Sequence, residues 1–183
     1  MKKILLIFCL LLFGLQGICS QADEKRIIGK QGVSRGIMVY IPKHEDSDMM
    51  KQAFGEWTKA TNGKITFKFI SSPRTAQIIV YFVDIVKNYD ESNAVGLAGS
   101  SHVVTGAIRR TEIQIAARPL FNQSKIQTKE ERYSTMVHEI GHALGLGHSK
   151  DEGSVMYEYN DPNRKTIITQ DDIDLIYQIY KFK

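Results

Sequence analysis

Two hydrophobic periods alternate along the chain, one of strand type and one of helix type. Gly36–Pro42 (GIMVYIP) predicts a short strand closed by proline. Asp46, Ser47 and Asp48 then open a helix at its positive end, and Met49, Met50, Ala53, Phe54, Trp57 and Ala60 recur on one face, as core residues do. Asn62-Gly63 turns the chain into Ile65–Ile70, and Gln77–Val83 (QIIVYFV) predicts a further strand. Ala94–Ala98 and Thr111–Ala116 predict two more, joined by the small-residue stretch Gly99–Gly106; 87–93 and 119–127 read as connections. Thr128-x-x-Glu131 is a capping box, so a second helix begins there, with Met136, Ile140, Ala143 and Leu144 as its buried face. Asp171 and Asp172 suit the N-terminus of a last helix. A sheet made mostly in the first half and then helices, with no repeat and no linker, predicts a single α+β domain.

Ahead of this domain, Lys2 and Lys3 precede the apolar run Ile4–Leu15, with Gly17 and Ser20 beyond it. That is the layout of a secretory signal peptide over 1–22, and the run is too short to span a membrane comfortably. A lipoprotein anchor at Cys19 fits less well, because Ile18 stands where a small residue is wanted. Residues 23–35 read as a flexible leader or short propeptide, and 36–183 as the domain. The expected location is secreted or periplasmic, with no stable membrane span once the signal is removed.

Composition narrows the function without naming it. A chain of 183 residues that is 43% hydrophobic and 24% charged is neither disordered nor fibrous. Its formal charge is only +4, Lys2 and Lys3 supply two of that, and the basic residues form no stripe, which excludes a nucleic-acid surface. Both cysteines, Cys9 and Cys19, lie in the signal segment, so the domain must rely on its core, on metal, or on both.

The candidate chemistry is concentrated in HEIGHALGLGH, His138 to His148. At about 100° per residue, His138 and His142 stand about 40° apart on one helix face, which two imidazoles need to reach a single metal ion. Glu139 is turned aside, where it can address a ligand of that metal. Gly145 permits a left-handed turn, and His148 can return as a third ligand. The string fits H-E-x-x-H-x-x-G-x-x-H at every fixed position, a match with a chance of about 10⁻⁵ in a shuffled chain. Three neutral imidazoles suit Zn²⁺ and leave a fourth position open, as in catalytic rather than structural sites.

These residues resemble the metzincins, zinc endopeptidases with this motif and a methionine turn below the metal. Met156, in Ser154-Val155-Met156-Tyr157, matches that turn. His148-Ser149, the run HSKDEGSVMY, the terminal ITQDDIDLIYQIY (Ile168 to Tyr180), and the early helix with Trp57 are similar to the matrixin branch. The resemblance implies a zincin fold: a twisted, mostly parallel sheet of about five strands with an active-site helix and a C-terminal helix. It implies one catalytic zinc on His138, His142 and His148, with Gly145 and Met156 as structural support. Gly99 stands where the family's structural zinc set has a histidine, and the calcium loops are shortened, so no calcium site is placed.

The resemblance also implies hydrolysis of internal peptide bonds, with Glu139 as general base. The partner would be an extended protein or peptide along Leu97 and Ala98, with Tyr157 and Tyr159 as candidate cleft residues, and the enzyme a monomer. Two alternatives stand beside it. One is a catalytically silent binding or adhesion module, against which the intact Glu139 argues. The other is a zinc hydrolase of another clan in which a distant glutamate replaces His148.

Overall fold

The structure is a computed structural model that describes residues 27–86, 94–102, 107–119, 122–158 and 167–183. The signal segment with Cys9 and Cys19, the connection 87–93 and Tyr159 lie outside the described residues. Five strands are formed: β1 (Ile37–Tyr40), β2 (Phe67–Phe69), β3 (Ile78–Val83), β4 (Gly96–His102) and β5 (Ile108–Ala116). They join in one sheet in the order β2-β1-β3-β5-β4, parallel except for β4, which runs antiparallel to β5. With the helices α1 (Ser47–Ala60), α2 (Lys129–Ala143) and α3 (Gln170–Tyr180), this is the expected α+β arrangement.

The core lies between one sheet face and the helices. Ile37, Val39, Ile78, Val80, Ile113 and Ile115 alternate inward, as the period of two requires. They meet Met50, Phe54 and Trp57 of α1 and Met136 and Ile140 of α2. Two polar links fix the angle between these helices. The Trp57 indole Nε1–H donates to the Val137 carbonyl at 2.9 Å. Asp46, at the start of α1, spends its carboxylate on the Arg132 guanidinium rather than on capping, with Nε 2.9 Å away.

Local details depart from the sequence expectation at three places. β2 is three residues long instead of spanning Ile65–Ile70, although Ile65 itself is fully buried. The stretch expected to join two strands is partly strand itself: β4 continues through Gly99 to His102, because pairing with β5 outweighs the weak strand preference of small residues. Finally, residues 27–35 of the expected flexible leader lie against the domain. Ile28 N–H bonds the Gly145 carbonyl, and Gln31, 3% exposed, donates through Nε2 to Thr111 Oγ1 at 3.1 Å and the Ala143 carbonyl at 3.3 Å. Gln31 N–H also bonds the Tyr180 hydroxyl, which donates to the Leu144 carbonyl.

Candidate active site

α2 begins with the capping box foreseen in the sequence. Thr128 Oγ1 accepts the Glu131 N–H at 3.1 Å, and Glu131 Oε2 accepts the Thr128 N–H at 2.7 Å. Four turns later the helix stops at Gly145, whose φ of +102° is open to glycine and strained for other residues. A side chain there would also run into the Gly29 carbonyl. The Leu146 N–H closes on the Gly141 carbonyl at 3.0 Å, and the chain then carries His148 back over the helix.

The three histidines converge. One ring nitrogen from each of His138, His142 and His148 lies within 4.8 Å of the others, and it is the one such cluster among the described residues. Second partners set the tautomers. His138 Nδ1 lies 2.7 Å from the Val155 carbonyl and His142 Nδ1 2.8 Å from the Leu146 carbonyl. A carbonyl can only accept, so each Nδ1 carries the proton and each Nε2 presents a lone pair. Burial holds His138 down at about 4 and His142 at about 3, the latter helped by the His138 charge; packing also lowers His148. All three are therefore neutral near pH 7, as ligands must be.

The donor set can be tested against a zinc ion. His142 Nε2 and His148 Nε2 lie 3.2 Å apart. Tetrahedral ligands at a Zn–N distance of about 2.0 Å lie about 3.3 Å apart. The residues fit the ion.

Below the histidines, Met156 is 0% exposed and its sulfur packs against Gly141 of α2. The turn that carries it is tied on three sides. Ser149 N–H bonds the Met156 carbonyl at 2.7 Å, Val155 N–H bonds the Ile167 carbonyl at 2.7 Å, and Ser154 Oγ donates to Asp172 Oδ2 at 2.7 Å. Tyr157 follows, partly exposed, with its hydroxyl 3.4 Å from Glu152 Oε1.

Glu139 is 5% exposed, on the α2 side that faces β4. The Ala98 N–H lies near its carboxylate, and Oε2 has no partner among the described residues. Burial raises the carboxyl to about 8, and the Ala98 N–H opposes that only in part. Leu97 and Ala98 thus sit on the strand that borders Glu139. His44 is far from this chemistry in role: it stacks on Phe82, with ring centroids 4.2 Å apart.

Several residues of the site escape sequence reasoning. Val155 and Leu146 act through backbone carbonyls, which have no sequence signature. Ser154 and Asp172 are common polar residues whose pairing spans 18 positions. Gly141 carried a usable signal: a glycine inside a helix costs about 1 kcal/mol against alanine, so something must require it.

A zinc-binding helix, a glycine turn that returns the third histidine and a methionine turn beneath them define a metzincin-type catalytic domain. The family model of the matrixins matches residues 34–181, and the chain belongs to that family. It is similar to Metalloendoproteinase 1 of Glycine max, 32% identical over 81% of this chain and 51% of that protein. Metalloendoproteinase 2-MMP of Arabidopsis thaliana is 28% identical over 74% of this chain and 37% of its own length. Interstitial collagenase of Oryctolagus cuniculus is 30% identical over 77% and 30% respectively. The chain spans about half the length, or less, of these relatives.

Proposed function

We propose that this protein is an exported zinc-dependent endopeptidase that cleaves internal peptide bonds, with His138, His142 and His148 holding the metal and Glu139 as general base. The observation that carries the proposal is the convergence of three neutral imidazoles beside the buried Glu139 at the border of an open strand. Zinc in that position supplies a Lewis acid that activates water and stabilises an oxyanion. Glu139 Oε2 is the oxygen without a protein partner; a cation held on the histidines favours its ionised form against the effect of burial, and it then receives the proton released in the attack and passes it to the departing amine. Gly145 and Met156 support the ligands from below and behind.

An extended peptide lies along the free edge of β4 beside Leu97 and Ala98, where its backbone meets the groups that the strand turns outward. Tyr157 and Tyr159 are the candidate side chains for contact with the substrate's own side chains. The N-terminal run Ile4–Leu15 directs export, and the catalytic unit acts as a monomer. No helix among the described residues is long and apolar enough to cross a membrane.

The decisive test is cleavage of a diverse peptide library by residues 23–183 with zinc, read by mass spectrometry, beside Glu139→Ala. The expected result is a set of internal cuts made by the intact protein and lost with Glu139, while zinc is retained. A folded, zinc-loaded protein that makes no such cuts shifts the reading to a narrow processing enzyme, a latent form or a binding module.

A further inference from the structure

Antiparallel pairing leaves every second residue of an edge strand unbonded to its neighbour. Gly96 stands opposite Ile115 and Ala98 opposite Ile113, while the Ala116 N–H bonds the Val95 carbonyl at 2.9 Å. In that register Val95 and Leu97 face β5, and Gly96 and Ala98 turn their N–H and C=O groups to the open edge. An open-edge N–H ordinarily bonds water or an added strand. The Ala98 N–H instead lies near the Glu139 carboxylate and favours its ionised form.

What makes room for that carboxylate is the residue two positions earlier. A Cβ on Gly96 would strike Glu139 Oε1, and would lie 2.8 Å from Glu139 Cδ and 2.6 Å from Thr135 Cγ2. Backbone conformation does not call for glycine here, because Gly96 is not among the positive-φ residues. Nor does the strand as a whole: a Cβ on Gly99 meets nothing within 4 Å. Space for Glu139 and Thr135 is the remaining reason.

We infer that Gly96 is the positioning residue for Glu139: its missing side chain forms the notch through which the carboxylate docks on the Ala98 N–H at the open edge of β4. The inference rests on Glu139 as general base and adds what holds that base. With one oxygen pinned, the carboxylate cannot swing about its terminal bonds, and Oε2 keeps one direction. A base must lie within hydrogen-bond reach of the proton it takes, and a displacement of about 1 Å costs about 100-fold in rate. Loss of the notch therefore lowers kcat and spares KM, since substrate pairing uses the strand and not the carboxylate.

The test uses zinc-loaded residues 23–183 with Gly96→Ala/Thr135→Ser, in which the serine removes the methyl group that would collide with the new Cβ. Thr135→Ser alone, Gly99→Ala and Glu139→Ala are compared with it. Amide exchange at Ala98 is expected to be at least about tenfold faster in the double variant and in Glu139→Ala, and unchanged in Gly99→Ala. Turnover of a cleaved peptide is expected to fall about 10- to 100-fold in kcat, with KM within about threefold and zinc retained. Unchanged Ala98 exchange in the double variant overturns the inference. So does faster exchange along all of β4 with loss of zinc, which marks a purely structural glycine. If the unsubstituted protein cuts nothing, the protease assignment fails, while Ala98 exchange still decides whether Gly96 seats Glu139.

Discussion

Asp172 Oδ2, in the first turn of α3, accepts a hydrogen bond from Ser154 Oγ at 2.7 Å, and Ser154 Oγ in turn accepts the Met156 N–H at 2.9 Å. The same oxygen accepts the Thr169 N–H at 3.0 Å and its hydroxyl at 2.8 Å. One fully buried carboxylate thus ties the start of the last helix to the turn below the histidines. Asp172→Ala leaves those donors without their acceptor. It is expected to cost about 2–4 kcal/mol in urea unfolding of the zinc-loaded protein. Zinc affinity should fall about 10- to 100-fold as the Val155 carbonyl loses its hold on His138. Unchanged zinc affinity would show that the turn keeps its shape without the carboxylate.

Gly141→Ala separates helix propensity from packing. In an exposed helix the substitution gains about 1 kcal/mol. Here the new Cβ would touch the Met156 sulfur and stand 2.9 Å from Trp57 Cζ2 and 3.1 Å from Met156 Cε. A net loss of about 1–3 kcal/mol is expected, read as a lower Tm. A higher Tm would mean that Met156 and Trp57 repack freely.

Metal removal should reveal a stability maximum in pH. His138 at about 4 and His142 at about 3 lie below their ordinary 6.5, so the unfolded chain binds more protons there. Stability contributed by the neutral rings is complete above about 6.5 and is lost as pH falls. Glu139, at about 8, lies above its ordinary 4.5, so its contribution is complete below 4.5 and is lost as pH rises to 8. Two imidazoles outweigh one carboxyl on the acid side. The Tm of EDTA-treated protein should peak near pH 6.5 and decline both ways. Glu139→Gln should abolish only the alkaline decline. A flat profile from pH 6.5 to 8 in the unsubstituted protein would argue that Glu139 is not held protonated.

The segment 27–31 should matter to the zinc loop. Gln31 links Thr111 and the Ala143 carbonyl, and Ile28 N–H bonds the Gly145 carbonyl at 2.6 Å. Gln31→Ala is expected to cost about 1–3 kcal/mol, because it leaves buried groups unpaired. A chain that begins at residue 33 loses the Gly145 contact as well and should bind zinc more weakly than Gln31→Ala, by competition with a chromogenic chelator. Equal affinity for the two would show that the segment only adds stability.

Legibility differed between elements for physical reasons. The apolar face of α1 and the Thr128–Glu131 cap depend on residues within one or two turns, and spacing reports them directly. β4 was harder, since Gly99, Ser100 and Ser101 have little strand preference of their own and are held by β5. Residues 27–35 look solvated by composition, yet Gln31 finds buried partners up to 112 positions away. Gly96, among other small residues, carries no periodic signal at all.

The ligand set was readable because it is local. His138 and His142 share a helix face by helical geometry alone, and Gly145 supplies the only backbone freedom needed to bring back His148. The sequence by itself therefore determined the metal chemistry, the caps and the class of fold. Tertiary structure decided what orients these groups: the carbonyls of Val155 and Leu146 on the rings, Asp172 under the methionine turn, and the notch at Gly96 beside Glu139. Those contacts join elements far apart in the chain, and steric fit and buried hydrogen bonds between them exist only once the sheet and helices have packed.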